Sequence, residues 1–187
     1  MSLFEFIVGM ISVILALAIA QLFAGVADLM QDRARVRFSW PHGIWIANLF
    51  LITFVHWWSL WTFLDLDWNF GMFFYSLLGP SLMFFAASII SPRDRKTDVL
   101  DLMDHFLSIR QLFLAVFLTM LMLFTFDGPL FGTEQPFNGL RMTQIFLGAM
   151  AVWGMVSESR RVHFVISLAV LTGVLAVVII RFLPGAG

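Results

Sequence analysis

Six stretches of the chain are apolar over, or close to, the roughly 20 residues that a helix needs to cross the hydrocarbon core of a bilayer. They run over approximately 3–28, 42–64, 70–90, 104–126, 140–157 and 162–182. The polar stretches between them are short. DLDWN (65–69) separates the second from the third, and DGPLFGTEQPFNG (127–139), rich in Gly and Pro turn signals, separates the fourth from the fifth. This pattern predicts an all-α, polytopic integral membrane protein: one six-helix transmembrane bundle over residues 1–187, with short loops and no soluble domain.

Composition agrees. Of 187 residues 60% are hydrophobic and 12% charged, more apolar surface than a soluble domain of this length can hide. Ala18-Ile19-Ala20 resembles a signal-peptidase site, yet the preceding segment carries Glu5 and no Lys or Arg, so the first span reads as uncleaved. The net charge of −1 gives no electrostatic case for nucleic acid, and the absence of cysteine removes disulfides, thiolate metal sites and cysteine nucleophiles. Nothing in the residue spacing assigns an enzymatic reaction.

Lys and Arg set the expected orientation. Arg33, Arg35 and Arg37, then Arg93, Arg95 and Lys96, then Arg160 and Arg161 fall in the first, third and fifth loops; Arg141 and Arg181 fall at the opposite ends. The second and fourth loops are acidic, with Asp65, Asp67, Asp127 and Glu134. The loops at 29–41, 91–103 and 158–161 are therefore expected in the cytoplasm and both termini outside. Trp61 and Trp68 would then mark the outer interface, Trp40 and Trp45 the inner one.

Helices in lipid meet through small residues. Ala16, Ala20, Ala24 and Ala27 make a continuous stripe on the first span, a candidate seam within the chain, in a homo-oligomer or with another membrane protein. Gly148, Ala151 and Gly154, and Ala169, Gly173 and Ala176, make shorter seams on the fifth and sixth spans. Gly79-Pro80 is expected to kink the third span.

Polar residues at membrane depth carry the functional expectations. His56 lies about 18 Å along the second span from Ile44, at 1.5 Å per residue. Asn48, Ser59 and Thr62 share its face within an arc of about 120°. With Gln21 of the first span, these residues are candidates to line a path for a proton, ion or small solute. A histidine there suits a proton relay, since modest changes of surroundings move its titration across neutrality.

Two alternatives use the other histidines. His42 and His56 are 14 positions apart, roughly 21 Å along the helix, a spacing similar to the paired axial ligands on one helix of b-type cytochromes. Each haem b would need a second ligand, and His105 or His163 at the same membrane side is a candidate partner for His42, whereas His56 has none. In DVLDLMDHFLSIRQ (98–111), Asp98, Asp101, Asp104, His105, Ser108 and Gln111 share an arc of about 140° on a helix. Asp101, Asp104 and His105 are a candidate divalent-cation site. The aspartate spacing is faintly similar to that of the CDP-alcohol phosphotransferases, but no Gly follows Asp104 and no second aspartate pair follows on the next turns. The plainer expectation is the wet end of a helix about to enter the membrane. Three function classes follow: permeation or transport, a haem-bearing electron-transfer subunit, and an accessory membrane subunit without chemistry.

Overall fold

The computed structural model describes residues 2–92, 99–132 and 139–182. Arg93, Arg95, Lys96, Asp98 and Glu134, which entered the charge and helix-face arguments, lie outside these residues. The described chain forms six α-helices: α1 Leu3–Gln31, α2 Trp40–Ser59, α3 Phe70–Ile90, α4 Leu102–Leu130, α5 Gly139–Val156 and α6 Arg160–Phe182. Five of them, all but the 18-residue α5, are shown to be long and apolar enough to cross a membrane. Helices are the expected solution, because lipid offers the backbone no hydrogen-bond partners.

The helix starts follow from local chemistry. Ser2 and Glu5 close a reciprocal capping box on α1, with Ser2 N donating to Glu5 Oε2 at 2.7 Å and Glu5 N to Ser2 Oγ at 3.2 Å. Pro41 occupies the first turn of α2, where its missing N–H removes no bond. Asn69 caps α3 and Asp101 caps α4 through their side-chain oxygens.

Three details depart from the hydropathy reading. The second span is α2 followed by a single 3₁₀ turn over Leu60–Phe63, not one continuous helix to 64. α4 continues through Gly128-Pro129 to Leu130, because the Phe131 N–H still finds the Asp127 carbonyl at 2.8 Å. The lead-in to α4 is not helical before Leu102. Val36–Arg37 and Leu100–Asp101 form a two-residue parallel strand pair, β1 and β2, so Asp101 is extended and leaves the helical arc expected for it.

Packing makes α2 the central helix, in contact with α1, α3, α4 and α6. Around it α1 packs on α3, α3 on α4, α4 on α5 and α5 on α6. α1 buries Ile7, Ile11, Leu15, Ala18, Leu22 and Gly25, the 4,4,3,4,3 spacing of one helical face. Gly25 permits a close approach to α3, since a Cβ there would lie 2.5 Å from Ser91 Oγ. Ala16, Ala20, Ala24 and Ala27 lie on the other side, all exposed. The alanine stripe is therefore not a seam within this chain.

One interfacial expectation is overturned. Trp45 is 0% exposed and packs edge-on against Phe113 and Phe117 of α4, with ring centroids 5.0 and 4.9 Å away. Its position near the start of α2 suggested a headgroup marker, but it lies on the face that α2 turns toward α4. Trp40 and Trp61 remain exposed.

Candidate functional site

A cavity of about 140 Å³ opens among α2, α4, α5 and α6. Its lining comes from the C-terminal halves of α2, α4 and α6, with the 3₁₀ turn after α2, and from the N-terminal half of α5. Helices consecutive in the chain run in opposite directions, so these segments share one end of the bundle, the end at which α2 passes to α3. The cavity thus runs from mid-bundle, at Phe117, Leu147 and Val170, toward that end, at Thr62 and Asp127. Below it the bundle is filled by the Trp45, Phe113 and Phe117 cluster, each 0% exposed.

His56 is the innermost ionisable residue on the wall. Its ring stacks on Phe124 at 4.7 Å and 22°, and its buried Nε2 has no hydrogen-bond partner. Phe124 fits there because Gly79 of α3 stands behind it; a Cβ on Gly79 would come within 2.5 Å of Phe124 Cε1. Ser59 and Thr62 follow His56 on the same wall, as their spacing implied. Gln144 reaches the cavity from α5, its Nε2 donating to the Phe124 carbonyl at 3.4 Å and its buried Oε1 unpartnered. Thr143 and Asp127 complete the polar lining. A smaller pocket on the other side of His56 and Phe124 is bounded by Tyr75, whose hydroxyl donates to the Leu123 carbonyl at 2.7 Å.

Two of the expected path residues lie elsewhere. Asn48 is 0% exposed, and its Nδ2 donates to the Ser167 carbonyl of α6 at 2.9 Å, which ties the two helices together one level beneath the cavity. Gln21 is half-buried on α1, a helix that supplies none of the lining. Asn48→Leu keeps the branched outline of the side chain at a larger volume and removes this bond. The expected loss is about 0.6–1.7 kcal/mol, the range for interhelical polar bonds in membranes, read from unfolding in mixed detergent micelles. A loss several times larger would give Asn48 a role beyond joining α2 to α6.

At the opposite end the alternative ligands are only partly gathered. His42 and His105 rings are 6.0 Å apart, and His42 Nε2 is 2.9 Å from the Ile90 carbonyl, which makes that nitrogen the N–H donor. His163 lies beyond Phe106, at 5.2 Å from its ring, and spends its own Nε2 on the Ser157 carbonyl at 3.0 Å. The nitrogens a haem iron would ordinarily take are committed to main-chain oxygens in both. Asp101 accepts from Met103 N and Asp104 N, and Asp104 pairs with Arg160 at 3.0 Å. Among the described residues no three His, Asp or Glu side chains form a metal-holding group. Asp101 caps the start of α4, and Asp104 makes its ion pair with Arg160. Glu158, itself exposed, bonds Arg110 at 2.8 Å, which joins α4 to the α5–α6 connection.

No family model, characterised protein or solved structure matches this chain.

The site therefore rests on its own geometry. Sequence reasoning missed Asp127, Thr143 and Gln144 as residues that line the same cavity as His56. Their signal was depth: each is polar and falls near the same end of its span as Ser59 and Thr62. Which spans flank α2 there is a matter of packing, and periodicity along one helix does not contain it.

Proposed function

We propose that this chain carries a small polar solute, ion or proton across the membrane, with the cavity at His56 as the outer part of the route. The supporting observation is the cavity itself: it reaches mid-bundle, and two residues of its wall carry buried polar atoms, His56 Nε2 and Gln144 Oε1, without partners. Polar atoms buried without partners are costly in lipid, and a solute or water entering the cavity would supply the missing bonds. The aromatic cluster at Trp45 is the closed part of the route, so passage requires α2 and α4 to shift against one another.

The orientation belongs to the same reading. Arg33, Arg35, Arg37, Arg160 and Arg161 gather at the end opposite the cavity mouth, and that end is assigned to the cytoplasm. Both termini and the cavity mouth then face outward.

The test is flux through the purified chain in lipid vesicles, followed with an entrapped pH-sensitive dye and, in parallel, by swelling in small polar solutes. His56→Ala is expected to lower whichever flux the wild type shows by about tenfold, the effect of removing one buried hydrogen-bonding group. Unchanged flux would remove His56 from the route. Wild-type vesicles no leakier than empty ones in either assay would end the permeation reading.

A further inference from the structure

The polar groups around the cavity share a chemical bias. Ser59 Oγ donates to the His56 carbonyl at 2.7 Å, Thr62 Oγ1 to the Ser59 carbonyl at 2.7 Å, and Thr143 Oγ1 to the Gly139 carbonyl at 3.0 Å. A hydroxyl has one proton, and each of these spends it on its own helix. What each has left to offer is lone pairs. Gln144 leans the same way: one of its two amide N–H groups goes to Phe124, and its buried carbonyl oxygen is unpartnered. Asp127 brings a carboxylate, which already accepts from Gly128 N at 2.6 Å and can only accept. His56 Nε2 can act either way, and Gln144 keeps one further amide proton. No Lys or Arg is among the described residues that line the space.

A wall made mostly of acceptors, with a carboxylate among them, disfavours an anion, whose own lone pairs would be desolvated against others with few donors to compensate. A neutral alcohol offers one proton. A primary ammonium group offers three, together with the charge that strengthens each bond to a carboxylate or amide oxygen. The rest of the lining is apolar, aliphatic and aromatic, with Leu147 and Val170 at depth, while Asp127 lies toward the mouth. The polar and apolar parts of the cavity are thus stacked along its length.

We infer that the cavity selects a small primary alkylammonium ion, its head among Asp127, Gln144 and the hydroxyl oxygens and its alkyl chain against Leu147 and Val170. The inference deepens the permeation reading and rests on the cavity being its ligand site. Three four-carbon probes separate charge from size: butylammonium, butanol and butyrate, titrated calorimetrically at neutral pH into the full chain in lipid nanodiscs, with empty nanodiscs as the control. Butylammonium is expected to bind saturably and about tenfold more tightly than butanol, and butyrate not to bind. Asp127→Asn should weaken butylammonium about tenfold and Thr143→Val about threefold. The second variant keeps the test open if the first fails to fold. Equal binding of butanol and butylammonium would overturn the charge selection while leaving the cavity a ligand site. Binding of butyrate as tight as butylammonium would overturn it too, as would butylammonium binding indifferent to both variants. Failure of all three probes would overturn the inference and the cavity's role together.

Discussion

Trp45→Ala is expected to cost the bundle about 3–5 kcal/mol, as large-to-small changes of a buried aromatic do, and to make reconstituted vesicles leak. The indole is enclosed on the α4 side by Phe113 and Phe117, and Phe117 is also the floor of the cavity. Removing it leaves a void continuous with that floor. In a membrane the transfer of apolar surface from water contributes little between helices, so the loss falls on dispersion contacts and on the two edge-to-face aromatic pairs, each worth about 0.5–1.5 kcal/mol. The lower half of the range is therefore the firmer expectation. Trp45→Phe separates packing from polarity. Trp45 Nε1 is buried with no hydrogen-bond partner, so phenylalanine removes an unmet donor along with part of the ring. It should unfold much closer to wild type in mixed micelles and stay tight in the leak assay. A Trp45→Ala protein as stable and as tight as wild type would mean that the closed half of the bundle is held elsewhere.

Why the helices were legible and the site only partly so comes down to what each depends on. A span's existence depends on length and apolarity alone, because lipid forces the backbone to satisfy itself. All six helices were readable on that basis, five of them long and apolar enough to cross a membrane. The polar face of α2 was readable too, since His56, Ser59 and Thr62 share it through the helical period. What the period does not state is which neighbour covers a face and how far. Asn48 sits on the same face, yet α6 closes over it and takes its amide at Ser167. The alanine stripe of α1 was legible as a stripe, while the face that actually packs is the bulkier one through Ile7, Ile11 and Leu15, with Gly25 as its close-approach point. The strand pair between residues 36–37 and 100–101 had no signal at all, being two residues long on each side and created by proximity.

Gly79 offers the sharpest way to disturb the site without touching a polar group. In Gly79→Ala the new Cβ would stand 2.5 Å from Phe124 Cε1 and 3.2 Å from Cζ, well inside contact. Phe124 cannot hold its place, and the ring is stacked on His56 at 4.7 Å. Overpacking of this kind costs about 1–3 kcal/mol, and here it is expected to fall on the cavity wall, lowering flux by about tenfold in step with it. The partner substitution makes the claim specific. Phe124→Leu gives the alanine room, so the double variant should recover most of the stability that Gly79→Ala loses. The two changes are expected to couple by about 0.5–3 kcal/mol, the range for residues in direct contact. Flux should not recover with stability, because leucine restores volume and not the aromatic face on which His56 rests. Strict additivity of the two changes would mean that Gly79 acts through the α3 backbone beside Pro80, and not through Phe124.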